Sequence, residues 1–376
     1  MAAGTRKVVL TANGLWNIVN FRAGLIRALK DAGYRPVIVA PAEAAVQARL
    51  AELGVEHIDI SIDRSGVNPV ADFRLYRAYR RLFSQIRPVA VLGFTIKPNI
   101  YGSLAARALG IPAIPNVSGL GTAFIRGGVL QMLVSRLYRR AFRACDTTFF
   151  QNPDDRRLFV DRGIVAAGQT KLLPGSGIDL DRFAPAPQPD GPPIFLLIAR
   201  LLGDKGVREY IAAARQLRRR MPEARFQLLG PIDEGNRTGV GRAELDGWIA
   251  ECVIEYLGMT DDVRPQIAAA SAIVLPSYRE GLPRSLLEGA AMRRPLIATD
   301  VPGCREVIAD GVNGYLCAPR DSGSLAQAMA KLVVLSQSER REMGDASRQL
   351  VQERFSERVV IRAYLDELAR LDRSPG

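Results

Sequence analysis

Histidine is all but missing from this chain. The single copy, His57, lies in VEHIDI, whose alternation is that of a strand, so it reads as structural and no histidine is left to act as a base. Cysteine is scarce too. Cys145, Cys252, Cys304 and Cys317 are scattered without CxxC spacing, which indicates neither a zinc site nor a disulfide framework and suits reduced thiols in a cytoplasmic protein. No uninterrupted run of 18 apolar residues occurs, so a transmembrane helix is not expected. The opening MAAGTRKVVLTANGLW lacks the long apolar core of a signal peptide and reads instead as a first strand. Helix-turn-helix and aromatic stacking signatures for nucleic acid are also absent.

What is present in excess is positive charge, and it is unevenly placed. Of the net +12, all falls in the first half: residues 1–180 carry 24 Lys and Arg against 12 Asp and Glu, while residues 181–376 carry 27 of each. Many of the basic residues lie on expected helices, among them Arg136, Arg139, Arg140 and Arg143. The stretch Leu120–Arg140 mixes these with apolar Phe124, Ile125, Leu130, Met132 and Leu133, a composition suited to an anionic membrane surface. A solvated charged face, or a stripe packed on a core, would look the same.

At 376 residues the chain is long enough for two domains of about 180 each. The first half alternates strands (Lys7–Thr11, Pro36–Ala40, Val89–Phe94, Ile111–Val117, Thr147–Gln151) with helices, including one running from Asn13-Gly14 through Leu29. Between Pro174 and Pro193 prolines and glycines crowd into a linker. The rhythm then resumes with Ile194–Ala199, Arg225–Gly230, Ile254–Leu257, Ala272–Leu275 and Leu296–Thr299. The expected class is α/β, with two Rossmann-like halves: residues 1–175, a linker over 176–193, a second domain over 194–355, and a last helix in 356–376.

Two loops carry the chemistry. In VLPSYREGLPRSLLEGAAMRRP (Val274–Pro295) a buried strand breaks at Pro276-Ser277, turns at Glu280-Gly281 and starts a helix near Pro283. Free N–H groups at such a start suit an anion, and the flanking carboxylates of Glu280 and Glu288 accept hydrogen bonds from hydroxyls. Together they describe a site for a nucleotide diphosphate sugar, although a capped helix with solvated acids has the same spacing. After the strand IFLLIA comes Arg200-Leu-Leu-Gly-Asp-Lys205-Gly206, where a guanidinium and an ammonium could both reach one diphosphate.

With RxxxxKG at Arg200–Gly206 and ExxxxxxxE at Glu280–Glu288, the chain resembles the family 4 retaining nucleotide-sugar glycosyltransferases of GT-B fold. Leu173–Phe183 and Asp300–Gly314 extend the resemblance over nearly the whole chain. Ser65–Pro69, Ile198–Ala212 and Leu275–Glu288 resemble bacterial enzymes that add an N-acetylhexosamine to an undecaprenyl-diphosphate-linked sugar. The resemblance implies two domains facing across a cleft, with the last helix crossing back to the first. It implies donor contacts at Gly14, Arg200, Lys205, Glu280, Gly281, Leu282 and Glu288, of which Glu280, Arg200 and Lys205 serve catalysis and Glu288 holds the ribose. Acceptor contacts fall at Asn13, Lys97, Asn116 and Ser118. Membrane contacts fall at Phe124, Ile125, Arg136, Arg139 and Arg140.

The implied reaction uses a UDP-sugar and a polyprenyl-diphosphate-linked acceptor, with no cofactor, no metal and no nucleic acid, in a cytoplasmic protein peripherally bound to the inner face of the plasma membrane. Asp179-Leu-Asp181 falls in the linker and does not read as a metal motif. The sequence departs from the family where a first-domain histidine is usual: here stand Asn116-Val117-Ser118. That favours a mechanism in which the acceptor hydroxyl attacks from the leaving-group face and the diphosphate takes its proton. A UDP-sugar 2-epimerase on the same fold, and a binding module without chemistry, are the alternatives.

Overall fold

The computed structural model describes residues 6–63, 68–120, 128–236 and 238–373. The chain forms two compact units, the first made of residues 1–177 and 357–376, the second of residues 178–356.

Unit 1 is built on a sheet of β1 (Lys7–Thr11), β2 (Arg35–Val39), β3 (Glu56–Ile58), β4 (Ala90–Phe94), β5 (Ala113–Val117), β6 (Thr148–Phe150) and β7 (Thr170–Leu172). The order is β3-β2-β1-β4-β5-β6-β7 and every pairing is parallel. Helices cover both faces, which is why the central strands are apolar along their length rather than alternating. On one face Leu25, Ile26 and Leu29 pack with Val360, Tyr364 and Leu368 of the final helix, Glu357–Arg373. On the other, Tyr79 and Phe83 of the Pro69–Ile86 helix join Tyr138, Phe142 and Phe159. That helix starts where its sequence says it should: the Asn68 side chain accepts from the amides of Val70 and Ala71, and Pro69 opens the first turn.

Two expectations change here. The helix after Gly14 is not continuous to Leu29; it breaks at Arg22 into Leu15–Phe21 and Ala23–Asp31. Arg22 is buried, with its guanidinium 4.3 Å from the centre of the Phe94 ring. Strand β7, too short to show a clear pattern, extends the sheet at one edge, while β3, which carries the alternation read around His57, forms the other.

Unit 2 holds β8 (Ile194–Ile198), β9 (Arg225–Leu229), β10 (Glu255–Tyr256), β11 (Ala272–Leu275), β12 (Leu296–Thr299) and β13 (Gly314–Cys317), in the order β10-β9-β8-β11-β12-β13. All pairings are again parallel. Strand β13 was not anticipated. In each unit the order reverses once, between β1 and β4 and between β8 and β11, and ligands of open parallel sheets bind at the carboxyl ends flanking such a reversal.

The Pro-rich stretch is not a loose linker. It forms neither helix nor strand from 179 to 193, yet it is fastened along unit 2. Arg294 is fully buried and donates to the carbonyls of Ala186, Pro187 and Ala270 and to Gln188 Oε1. Burial without a carboxylate partner pulls its guanidinium down to about 10. Arg348 does the same for the carbonyls of Leu180 and Phe183. Guanidinium forks suit this because a segment without ladder bonds leaves its carbonyls needing donors.

Candidate active site

At the reversal in unit 2 the loop after β8 is fixed to the loop after β11. The Asp204 carbonyl accepts from the Tyr278 amide at 3.0 Å and from Ser277 Oγ at 3.1 Å. Gly206 has φ +72°, and a Cβ there would overlap the Pro276 carbonyl, so the close approach of the two loops requires glycine. A third loop joins them: Thr299 Oγ1, at the end of β12, donates to the Ser277 carbonyl, and the Glu280 amide donates to the Pro302 carbonyl at 3.2 Å. Gly303 also has positive φ and lies against the carbonyls of Glu280 and Gly281.

These constraints bring Lys205 Nζ to 2.5 Å from Glu280 Oε1, with both side chains mostly buried. Ammonium and carboxylate thus meet across the reversal, one from each flanking strand. The Arg284–Ala291 helix follows, with Pro283 as an extended N-cap that supplies no side-chain hydrogen bond. A Cβ on Gly289 would run into Ile273, so this helix lies directly on β11. Glu288 is turned inward and accepts from Arg284 Nε at 2.8 Å. Burial pushes its carboxyl up, and the Arg284 guanidinium partly draws it back.

Arg200 and Lys205 do not converge on a common partner. Arg200 is over half exposed and pairs with Asp233 at 3.1 Å, whereas Lys205 is committed to Glu280. A charge near a protein interior takes whatever counter-charge the fold offers. Asp204, Ser277, Thr299 and Gly303, which hold this arrangement, were not singled out from sequence. Their signal was only their place at the ends of apolar strands or in the loops that follow them.

At the reversal in unit 1 the Asn13 amide donates to Thr95 Oγ1 at 3.0 Å, and Gly14 caps the Leu15–Phe21 helix. Lys97 is paired with Asp72 at 2.8 Å, and Tyr101 donates to the other oxygen of that carboxylate. Ser118 is exposed. Asn116 does not fit the acceptor role expected of it. It is fully buried, donates to Tyr364 Oη at 2.9 Å and accepts from Gln151 Nε2, so its amide is spent inside the unit. His57 bonds the Ala40 carbonyl at 2.9 Å.

Phe124 and Ile125 lie outside the described residues. Arg136, Arg139 and Arg140 are exposed on the Gly128–Phe142 helix, but Arg139 donates to the carbonyls of Arg162 and Gly163 and so closes the end of the Pro153–Asp161 helix. Between the basic helix and the Pro69–Ile86 helix runs a groove of about 1510 Å³, with Phe73, Tyr76 and Leu133 beside Arg107, Arg136 and Arg140. Among the described residues no helix is long and apolar enough to cross a membrane, and no three His, Cys, Asp or Glu side chains are grouped to hold a metal ion.

Residues 18–176 match the model of the glycosyl transferase 4-like domain, and residues 192–334 that of the glycosyl transferases group 1. The chain is 26% identical over 370 residues to the N,N'-diacetylbacillosaminyl-diphospho-undecaprenol alpha-1,3-N-acetylgalactosaminyltransferase of Campylobacter jejuni, covering 93% of this chain and 94% of that one. Among solved structures it is similar to Anabaena HepE in complex with UDP-glucose, with a TM-score of 0.80 at 18% identity, covering 97% of this chain and 99% of that one. A glycosyltransferase from Rickettsia africae gives 0.79 at 17% identity, covering 99% and 100%. These likenesses show the GT-B fold.

Proposed function

The chain belongs to the group 1 glycosyl transferases, and from that premise we propose that it transfers an N-acetylhexosamine, with retention, from a UDP-sugar to a sugar carried on a polyprenyl diphosphate. The Lys205–Glu280 pair carries the reading, because it sets a cation suited to phosphate beside a carboxylate suited to hydroxyls at the reversal of the sheet. The Campylobacter relative, matched along nearly its whole length, is named for such a transfer on diphospho-undecaprenol.

In this mechanism the donor diphosphate takes Lys205 from Glu280 and Arg200 from Asp233, and the released Glu280 accepts from hydroxyls of the donor sugar. Glu288 accepts from the ribose, and the backbone at Gly281 and Leu282 closes on the phosphates. The bond from the anomeric carbon to the diphosphate oxygen breaks as the acceptor oxygen bonds from the same face. The proton of the acceptor hydroxyl passes to the departing diphosphate, and the two cations stabilise the charge developing there without a metal. Asn13, Lys97 and Ser118 border the acceptor side. The enzyme works from the cytoplasmic leaflet as a peripheral protein that does not bind nucleic acid, and its basic first unit holds anionic lipid.

A panel of radiolabelled UDP-sugars with undecaprenyl-diphosphate-linked acceptors tests this. We expect labelled lipid product from one or a few UDP-N-acetylhexosamines, undiminished by a chelator. UDP binding without transfer to any acceptor refutes the catalytic reading, and activity lost to the chelator and restored by manganese refutes the metal-free one.

A further inference from the structure

Unit 1 holds an exposed tryptophan in a rigid setting that its own core does not require. Trp16 stands three residues after Asn13 at the carboxyl end of β1, on a helix whose Leu15, Ile18 and Val19 are buried. Its indole is 47% exposed. The backbone beneath it is nevertheless fixed at both polar groups. Its amide donates to Glu43 Oε2 at 2.8 Å, and its carbonyl accepts from Asn20 Nδ2 at 2.9 Å, with Asn20 itself held by Arg49 at 2.8 Å. Phe21 meets the indole at 85° and 5.1 Å, edge against face, and sets its tilt.

We propose that Trp16 is a stacking platform for a sugar ring at the acceptor side of unit 1. The apolar C–H face of a pyranose is drawn to the electron-rich face of an indole, and the hydroxyls around its rim stay in contact with water. A ring held before the ligand arrives loses little freedom on binding. The position suits this ligand, since it borders the reversal between β1 and β4. A lipid is the poorer match: the Leu15–Phe21 helix packs on the sheet face it shares with the Glu357–Arg373 helix, whereas the arginine-lined groove lies among helices of the opposite face. The inference rests on the transferase reading for what carries the sugar, and on the geometry alone for the contact.

The chain has two tryptophans, and the other, Trp248, is buried in unit 2, so the difference in emission between parent protein and Trp16→Phe reports Trp16. Free N-acetylhexosamines, a short-chain polyprenyl-diphosphate sugar, UDP and anionic vesicles are titrated separately. We expect a saturable change in the Trp16 signal with the sugars and not with UDP or vesicles. Trp16→Ala should raise KM for the lipid-linked acceptor about tenfold, the scale of one aromatic contact, and leave KM for the UDP-sugar unchanged, with Trp16→Tyr intermediate. A silent signal with every sugar, or one that answers only UDP or vesicles, overturns the proposal. If the parent transfers nothing, the transferase reading fails, and the free-sugar titration still decides the role of Trp16.

Discussion

Lys205 and Glu280 are 75 positions apart in sequence and 2.5 Å apart in space, and each limits what the other can do. Paired, the ammonium is neutralised and the carboxylate oxygen is occupied. A donor that brings both a diphosphate and hydroxyls satisfies the two groups separately, whereas a phosphate alone would leave Glu280 without its cation in a mostly buried place. On the proposed mechanism Lys205→Ala should lower kcat by about 10²–10³-fold, the usual effect of removing one charge-stabilising donor. Steady-state kinetics beside a melting curve checks this. A pair that is merely structural would lower the melting temperature and leave kcat near the parent value.

The elements that tie each unit together depend on a few buried polar contacts. The final helix, Glu357–Arg373, is attached to unit 1 through Tyr364, which bonds Asn116, and through Glu367, which is 2% exposed. Burial pushes the Glu367 carboxyl up, but hydrogen bonds from Lys171, Thr147 and Arg370 outweigh this and hold it below the usual range. A carboxyl whose folded value lies below its unfolded value, about 4.3, adds stability above that value and loses it as pH falls through the folded one. Glu367→Gln should therefore loosen residues 357–373 by ~1–3 kcal/mol near neutral pH and make the difference from the parent shrink in acid. Hydrogen exchange over this helix at two pH values reads both effects.

The chain passes from unit 1 to unit 2 at 177/178 and returns at 356/357. On the unit 1 side, Gly177 has φ +71°, and a Cβ there would overlap the backbone of Glu357. On the unit 2 side, the Ile178 amide bonds the Phe355 carbonyl at 2.9 Å. The two crossings are thus matched pairwise within each unit.

For the molecule as a whole, the uneven charge is the property with the longest reach. On the proposed membrane role, a first half at +12 beside a neutral second half would direct an anionic surface to one unit, at about 1 kcal/mol per basic residue close to the membrane. Replacing Arg136, Arg140 and Arg143 together with Gln should reduce sedimentation with anionic vesicles and raise the apparent KM for lipid acceptor, leaving UDP affinity unchanged. Arg139 is left in place because it closes the end of a neighbouring helix. Salt should weaken the parent's binding, as the Debye length falls from about 10 Å at 0.1 M to about 3 Å at 1 M. Vesicle binding by the variant equal to the parent's would make these arginines a solvated face.

The sequence by itself determined the α/β class, the strands that run KVVLT, IFLLI, AIVL and LIAT, the two loops that follow β8 and β11, and the concentration of charge in one half. Each of these is written in neighbouring residues: a parallel strand covered on both faces must be apolar throughout, and a strand-to-helix turn needs its glycine and proline in place. Only the tertiary structure decided which partner each charge takes and which polar residues lie inside. Asn116 and Tyr364 are 248 positions apart, and nothing near Asn116 announces that its amide is buried. The Pro-rich stretch likewise reads as a linker until Arg294 and Arg348, over 100 residues further on, supply donors for its carbonyls. Local pattern records what a segment can form, but the energy of a buried polar group depends on groups brought to it from elsewhere in the chain.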